Sequence, residues 1–261
     1  MVSVEENIEV LIEAWKLMVG RMPGATLEHA DGLATMFAHI PLPFLNISAP
    51  DGPLMDAEQF RATLAVARRK AAECAHGSLL ALSPAWVPED WERIAAEAGF
   101  TFTMNMTGME AHRLLPPRRS LPELAFRRVT DETTARDIAM VNAHAYGMPA
   151  DLFECICNLH LWHPDTFGYV AYADGKAVSA TAAFPVQNIL YVAFVATLPE
   201  AHGRGYAETV MRHAIEQSQS TMGGRKMTLH ASDMGEPLYR SMGFTSGSKV
   251  VLLGNSTDAA H

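Results

Sequence analysis

Apolar and polar residues follow two spacings along the chain, and the two spacings predict different elements. In residues 5–19 and again in 207–218, apolar side chains recur every three or four positions, which predicts amphipathic helices. Shorter runs that alternate, or that are wholly apolar, predict strands where turn-forming residues bound them. The longest apolar run, 189–197, is typical of a strand buried on both faces. The pattern as a whole predicts a mixed α/β fold class.

A proline-rich stretch divides the chain. Residues 114–122 contain three prolines, which fit neither the interior of a helix nor a central strand. We therefore predict a linker here, with a first domain at 1–115 and a second at 119–261. Both lengths are ordinary for a domain.

The two predicted domains share an order of elements in which strands and helices alternate. For the second domain the predicted strands are 125–129, 167–172, 177–184, 189–197, 226–231 and 249–253, and the predicted helices are 131–146, 150–161, 207–218 and 236–242. For the first domain the predicted helices are 5–19, 56–75 and 88–98, and the predicted strands are 33–38, 44–48, 78–82 and 100–106.

The turn between the apolar strand 189–197 and the following helix is a candidate anion site. Its sequence is His202-Gly203-Arg204-Gly205-Tyr206-Ala207. The first amides of a helix have no intrahelical partner, and the helix dipole adds partial positive charge there. Glycine lets a phosphate approach these amides closely. A tight turn without any ligand produces the same short pattern, so this motif alone decides nothing.

A second motif follows further along the chain, and the two together are specific. It is Leu238-Tyr239-Arg240-Ser241-Met242-Gly243-Phe244. The pair resembles the GNAT superfamily of N-acetyltransferases, whose phosphate loop has the form Arg/Gln-x-x-Gly-x-Gly/Ala and whose later signature has the form Leu-Tyr-x-x-x-Gly-Phe. The resemblance covers roughly residues 125–253 and includes two initial helices and a three-strand meander. His202 departs from the Arg or Gln that the family usually has at the first loop position.

The resemblance implies a GNAT fold and an acetyl-CoA-dependent N-acetyltransferase, with acetyl-CoA as co-substrate. A primary amine of a small molecule or peptide would attack the thioester carbonyl, and Tyr239 would protonate the departing thiolate; an ordinary core aromatic is the alternative for Tyr239. Backbone groups would hold the cofactor, the pantetheine arm at one segment and the pyrophosphate at the other. These residues are Val195, Ala196 and Thr197 for the arm, and His202, Gly203, Arg204, Gly205, Tyr206 and Ala207 for the pyrophosphate.

The base that takes the proton of the amine stays unassigned. Tyr191, His230, Ser232 and Asp233 lie on or after the relevant strands, but no carboxylate stands on the strand 189–197. A non-catalytic sensor of acyl-CoA is the alternative function. A nucleotide-binding module is disfavoured, because neither Gly-x-x-x-x-Gly-Lys-Ser/Thr nor Gly-x-Gly-x-x-Gly occurs at this turn.

Two polar clusters accompany the motifs. Cys155, Cys157, His160 and His163 have metal-ligating side chains, but residues two apart do not share a face of a helix, so we predict no metal. The family resemblance places the acceptor site between two segments of the chain. The polar and aromatic residues of these segments, each of which could equally be packing, are Asn142, His144, Tyr146, Trp162 and His163.

Composition limits the kinds of binding partner and the cellular compartment that we expect. The 261 residues carry a formal net charge of -9, which argues against a nucleic-acid partner because phosphate binding needs a concentrated basic surface. Three cysteines form no disulfide framework and fit a cytoplasmic protein. No apolar run reaches the ~20 residues that span a bilayer, so we predict no membrane partner. A homodimer is left open.

The first domain is either a degenerate GNAT-like half or an unrelated cap. If Gly99 is matched to Gly243, Ala95 occupies the place of Tyr239. Asp56 stands at the start of the long helix, where the second domain has its glycines. As an N-cap, its carboxylate would accept hydrogen bonds from the amides that a pyrophosphate needs. We therefore predict that this domain holds no cofactor.

Overall fold

The computed structural model describes residues 3–157 and 159–255. Helices and strands alternate along most of this part of the chain. The helices are α1 (Val4–Gly20), α2 (Ala57–Ala72), α3 (Trp91–Glu97), α4 (Glu132–Ala145), α5 (Ala150–Glu154), α6 (Tyr206–Met222) and α7 (Glu236–Met242). The strands are β1 (Thr26–Ala30), β2 (Leu33–Phe37), β3 (Asn46–Pro50), β4 (Leu79–Leu82), β5 (Phe100–Ala111), β6 (Ala125–Arg128), β7 (Phe167–Ala173), β8 (Lys176–Val186), β9 (Ile189–Thr197), β10 (Lys226–Ala231) and β11 (Thr245–Asn255).

Most predicted elements are confirmed to within a few residues, and three differences stand out. The helix predicted over 150–161 ends at Glu154, and its C-cap is Cys155. Strand β1 was not predicted, because its sequence TLEHA is short and its side chains are half-buried or exposed. The strand predicted over 177–184 continues as β8 to Val186, and the chain reverses at Gln187, which has a φ of 50°.

The described chain forms two compact units that are interleaved in sequence. Among the described residues, unit 1 comprises 3–109, 230–236 and 246–255, and unit 2 comprises 110–157, 159–229 and 237–245. The final strand, β11, thus falls mostly in unit 1 although it comes last in the chain. The boundaries of these units differ from those of the domains predicted at 1–115 and 119–261. That division into domains remains a prediction.

Unit 1 is built on a mixed sheet in the order β1-β2-β3-β4-β11-β5. Strands β3 and β4 are parallel and are connected by α2, while β11 runs antiparallel to β4. Helix α2 begins at Asp56 and buries Phe60, Leu64 and Ala67 against the sheet. The same core includes Val251 of β11, so a strand from the end of the chain completes the core of this unit.

Unit 2 is built on strands in the order β10-β9-β8-β7-β6. Strands β7, β8 and β9 form an antiparallel meander, and β9 is parallel to β10 with α6 as the connection. Helix α4 begins at a capping box formed by Asp131 and Thr134. Helix α6 buries Val210, Met211 and Ala214. None of the helices in the described part of the chain combines the length and the apolarity needed to cross a bilayer.

Candidate active site

Strand β9 carries a bulge near its carboxyl end. Ala180 of β8 pairs with Ala196, whereas Ala182 pairs with Ala193, so β9 has one more residue than its partner between these pairs. The extra residue bends the strand, and Phe194 adopts a left-handed φ of 53° that is uncommon for a bulky side chain. The bulge was not predicted from the sequence.

The bulge lies beyond the point where β9 pairs with β10. The paired residues run from Lys226 with Ile189 to Thr228 with Tyr191. The burial of β9 changes after this point: its first four residues are buried, and the three from Ala193 to Val195 are half-buried. The prediction that β9 is buried on both faces is therefore wrong at the bulge, where the strand opens.

Four successive carbonyl oxygens of β9, starting at the bulge, accept hydrogen bonds from side chains. The pairs are Asn142 Nδ2 to Phe194 (3.4 Å), Tyr146 hydroxyl to Val195 (3.2 Å), Ser179 Oγ to Ala196 (2.8 Å) and His202 Nε2 to Thr197 (2.9 Å). The last pair requires the proton on Nε2, because a carbonyl can only accept. The first two donors come from the end of α4, so this helix positions the bulge.

The loop from His202 to Ala207 opens the amino end of α6. Gly203 and Gly205 adopt left-handed φ values of 75° and 83°, which side chains rarely tolerate. Gly205 is the N-cap of α6 and has no side chain with which to cap it. The first intrahelical bond runs from the Thr209 amide to the Gly205 carbonyl at 3.1 Å, so the three preceding amides lack an intrahelical acceptor.

His202 ties this loop to the end of β9. Its side chain is exposed, yet Nε2 reaches the Thr197 carbonyl. Although His202 replaces the Arg or Gln that is usual in the family, it also provides a side chain that donates a hydrogen bond. Arg204, between the two glycines, is exposed.

The matching position of unit 1 is closed by a side chain. Asp56 is the N-cap of α2, and its Oδ1 accepts hydrogen bonds from the amides of Glu58 at 3.0 Å and Gln59 at 2.9 Å. These are the amides that α6 leaves open. The predicted capping role of Asp56 is thus confirmed.

Tyr239 lies on α7 in unit 2 and is 8% exposed. Its ring packs against Phe244 with a centroid distance of 6.1 Å. Burial raises the pKa of the Tyr239 phenol well above its usual range, and the nearby Tyr146 phenol adds to the increase. Tyr239 is therefore a neutral proton donor at physiological pH.

The residues predicted to wall the acceptor site divide into buried and exposed groups. Asn142 is fully buried, and Trp162 is buried with its Nε1 donating to the Ile156 carbonyl at 2.7 Å. The Trp162 ring also contacts Phe194 at the bulge, with a centroid distance of 5.6 Å. Tyr146 is 54% exposed although its hydroxyl reaches β9, and His144 is exposed. Tyr146 thus has one face toward solvent and one toward the bulge.

The candidate bases are divided between the two units. Tyr191 is buried in unit 2 with an exposed fraction of 2%, and His230, Ser232 and Asp233 are parts of unit 1. The Ser232 hydroxyl accepts a hydrogen bond from the Gly235 amide at 3.3 Å. The base therefore remains unassigned.

The cysteine and histidine cluster does not form a ligand set. Cys155 Sγ donates to the Leu152 carbonyl at 3.0 Å, and His163 Nδ1 lies 2.9 Å from Asp165 Oδ1. Burial raises the pKa of the Cys157 thiol. Within 3–157 and 159–255, no group of three or more His, Cys, Asp or Glu side chains is arranged to hold a metal ion.

Family comparison decides what kind of domain carries this site. Residues 135–244, which include the bulge, the glycine loop and α7, match the model of the acetyltransferase (GNAT) family. The chain contains a GNAT acetyltransferase domain. The family and the fold predicted from the two motifs are confirmed, and the GNAT domain supports acyl transfer as the general chemistry. Among curated protein sequences, none matches the chain.

Solved structures share the fold over most of the chain, beyond the GNAT domain itself. A GCN5-related N-acetyltransferase from Kribbella flavida is 17% identical with a TM-score of 0.70, over 98% of this chain and 96% of its own. A protein of unknown function from Staphylococcus epidermidis ATCC 12228 is 14% identical with a TM-score of 0.65, over 89% and 94%. A GCN5-related N-acetyltransferase from Sphaerobacter thermophilus is 16% identical with a TM-score of 0.60, over 95% and 91%. At such identities the likeness shows the fold alone.

Proposed function

We propose that this protein transfers the acetyl group of acetyl-CoA to a primary amine. The observation that carries the proposal is the open amino end of α6, which follows the bulged strand of a GNAT domain. Two left-handed glycines leave the first amides of α6 open, whereas the equivalent amides of α2 are covered by the carboxylate of its own N-cap, Asp56. An anion is the natural partner of such amides, and the pyrophosphate of CoA supplies one.

The bulged part of β9 would hold the pantetheine arm. An extended chain can pair with the free edge of a strand through backbone hydrogen bonds. Strand β9 pairs with β10 as far as Tyr191 and then continues to Thr197. The Val195 carbonyl already accepts a bond from Tyr146, but a carbonyl oxygen has two lone pairs and can accept a second. We therefore place the arm along Val195, Ala196 and Thr197, with the pyrophosphate at 203–207.

The chemical step would be direct attack of the amine on the thioester carbonyl. The amine nitrogen forms a bond to the carbonyl carbon, the carbon–sulfur bond breaks, and the sulfur leaves with its electron pair. Tyr239 donates its phenolic proton to this thiolate, and the phenolate then regains a proton from solvent. Burial keeps the phenol protonated at neutral pH, so that its proton is available for this step. The amine loses one proton to water or to a base that we leave unassigned. Alignment of the two bound reactants supplies several kcal/mol of the acceleration.

The acceptor would be an amine of a small molecule or a peptide, entering from the side of Tyr146. This residue combines a ring that is 54% exposed with a hydroxyl bonded beside the bulge. The net charge of -9 favours a cationic amine over an anionic one as the diffusing partner. A cytoplasmic location remains a prediction from the sequence, and the oligomeric state remains open.

An acceptor screen tests the proposal. Purified protein is mixed with acetyl-CoA and a panel of primary amines, and free thiol is followed by absorbance while mass spectrometry identifies the acetylated amine. We expect thiol release that depends on one class of amine and that disappears in Gly205→Val. Tight binding of acetyl-CoA without release for any amine would instead support the acyl-CoA sensor.

A further inference from the structure

The proline-rich stretch before β6 is packed on unit 2 rather than extended away from it. We call residues 113–122 the strap. Its first part is fixed to the end of α7, where the Leu115 amide donates to the Met242 carbonyl at 2.8 Å. Gly243 has a φ of 105°, and a Cβ there would lie 3.1 Å from the Leu115 nitrogen and 3.3 Å from the Arg113 carbonyl oxygen. The strap thus starts against the helix that bears Tyr239.

The other end of the strap lies on the glycine loop. Arg119 Nη2 donates to the Gly203 carbonyl at 3.3 Å. A Cβ added to Gly205 would lie 3.5 Å from this same nitrogen and 3.5 Å from Pro122 Cδ. The guanidinium therefore sits directly over the loop whose amides we assign to the pyrophosphate.

The charges around this loop favour an anion, although the whole chain is acidic. Arg119 and Arg204 are both exposed there. The one acidic residue in the first turn of α6 is Glu208, which is buried and paired with Arg212 at 2.7 Å. A chain with a formal net charge of -9 thus presents arginines at one helix terminus.

We propose that Arg119 is a phosphate-binding residue of the cofactor site, and that the strap forms part of this site. The inference rests on the proposed function. A guanidinium binds a phosphate through two parallel charge-assisted hydrogen bonds, which are stronger than its bond to a neutral carbonyl. Arg119 exchanges the Gly203 carbonyl for an oxygen of the pyrophosphate when CoA binds. Since the strap is held at Leu115, the side chain reaches the phosphate without the strap leaving its place.

Calorimetric titration of three proteins tests the role of Arg119. These are the natural chain, Arg119→Gln, and the matched control Arg118→Gln, which removes one exposed charge from the neighbouring position. Each is titrated with CoA and with 3′-dephospho-CoA, at low and at high salt. Melting temperatures establish that the variants are folded.

We expect Arg119→Gln to bind both ligands roughly tenfold more weakly than the natural chain does, because one charge-assisted contact is lost. The factor should be equal for the two ligands, since both contain the pyrophosphate. It should also shrink as salt rises, because ions screen an exposed contact. Arg118→Gln should bind within about twofold of the natural chain, as screening leaves an exposed neighbouring charge little influence.

Three results would overturn the inference, and they are distinguishable. If the natural chain binds neither ligand, the proposed function fails and this inference fails with it. If the natural chain binds and Arg119→Gln matches Arg118→Gln, the proposed function survives and Arg119 is merely a surface residue. If Arg119→Gln weakens CoA but not 3′-dephospho-CoA, the contact is with the 3′-phosphate and the assignment to the pyrophosphate is wrong.

Discussion

At the scale of the residue, Tyr239 illustrates how burial selects a protonation state. Tyr239 is 8% exposed, and burial disfavours its ionised form because the phenolate would lose its hydration. Tyr146 lies near enough to raise the pKa of Tyr239 further. Tyr239 is buried whereas 54% of Tyr146 is exposed, so the two tyrosines suit different roles: Tyr239 as the proton donor and Tyr146 as a wall of the acceptor entrance.

The substitution Tyr239→Phe tests the first role. It keeps the ring against Phe244 and removes the hydroxyl. We expect kcat to fall about 10²–10⁴-fold, as is usual for loss of a general acid, with little change in the affinity for acetyl-CoA. Because the pKa of Tyr239 is raised, the natural chain should show no loss of activity from its ionisation up to the ordinary phenol pKa of about 10.

Tyr169→Phe is a matched control, because it removes the hydroxyl of another buried tyrosine. The Tyr169 ring packs against His213 with a centroid distance of 4.6 Å. This variant should keep the kcat of the natural chain. An equal kcat for Tyr239→Phe and Tyr169→Phe at every pH would make Tyr239 a packing residue.

His230 of unit 1 is a basic side chain whose pKa is changed by burial. Burial lowers the pKa of His230 to about 4, and a hydrogen bond to the Asn7 backbone only partly opposes the shift. Trp15 packs edge-on against its ring with a centroid distance of 6.4 Å. His230 is therefore neutral at pH 7 and belongs to the interior of unit 1.

The lowered pKa of His230 should make the stability of the fold depend on pH. Between pH 6.5 and about 4 the unfolded chain binds a proton at residue 230 that the folded chain does not. The free energy of unfolding should thus fall as the pH falls through this window, by on the order of 3 kcal/mol in total. Urea denaturation at steps between pH 7 and pH 4 measures it. His230→Gln should lose stability less steeply over the same range, and parallel curves for the two proteins would contradict the assignment.

At the scale of the element, the chain contains two long helices that follow a parallel strand and differ at the N-cap. Helix α6 starts at Gly205, and α2 starts at Asp56. Gly205 and Gly223 bound α6 with nearly equal φ values of 83° and 81°. Gly205 has a ψ of 6° and lies in the left-handed region, whereas Gly223 has a ψ of 164° and lies in a region that essentially only glycine adopts. A side chain strains the backbone at both positions, but only position 205 lies at the amides that we assign to the pyrophosphate.

These two glycines supply a controlled test of the loop. Gly205→Val and Gly223→Val should each destabilise the fold by about 1–3 kcal/mol, with Gly223→Val at least as damaging because its backbone conformation is the less tolerant of a side chain. Only Gly205→Val should abolish binding of acetyl-CoA, because its branched side chain occupies the space of the phosphate. Calorimetry with both variants, each checked by thermal melting, measures the difference. Retained affinity in Gly205→Val, or an equal loss in Gly223→Val, would move the cofactor away from this loop.

Local sequence signals predicted the elements well because their causes are local. The bounds of β9 follow from an apolar run and those of β10 from alternation, and the start of α2 follows from the capping chemistry of Asp56. The end of α5 and the bulge of β9 depend on packing and on register, which periodicity does not encode. The bonds from Asn142 and Tyr146 to the bulge join residues about fifty positions apart, and no spacing rule predicts them.

Arg119 was missed for the same reason. Its sequence neighbours are prolines and arginines that indicate a linker, and its bond to Gly203 spans 84 positions. A charge pattern offers one signal in retrospect: Arg118 and Arg119 are adjacent basic residues in an acidic chain. The glycine loop and Tyr239, by contrast, were predicted as candidates because each lies within a short motif.

At the scale of the whole molecule, the chain resembles GCN5-related N-acetyltransferases in fold over nearly its full length, while the family model matches 135–244. Unit 1 repeats part of the order seen in unit 2: a meander, a helix, a parallel strand, and then a short helix ended by a left-handed glycine, Gly99 in one and Gly243 in the other. The degenerate GNAT-like interpretation of the N-terminal half fits this order. Ala95, in the place of Tyr239, has no group that could donate a proton.

The central claim is that one chain holds one acetyl-CoA, at the amino end of α6. Asp56 occupies the corresponding amides of α2, and its carboxylate would repel a phosphate there. Equilibrium titration of the purified protein with acetyl-CoA tests this claim most directly. The predicted stoichiometry is one per chain for the natural sequence and none for Gly205→Val. A stoichiometry of two that falls to one in Gly205→Val, or no binding by the natural chain, would contradict it.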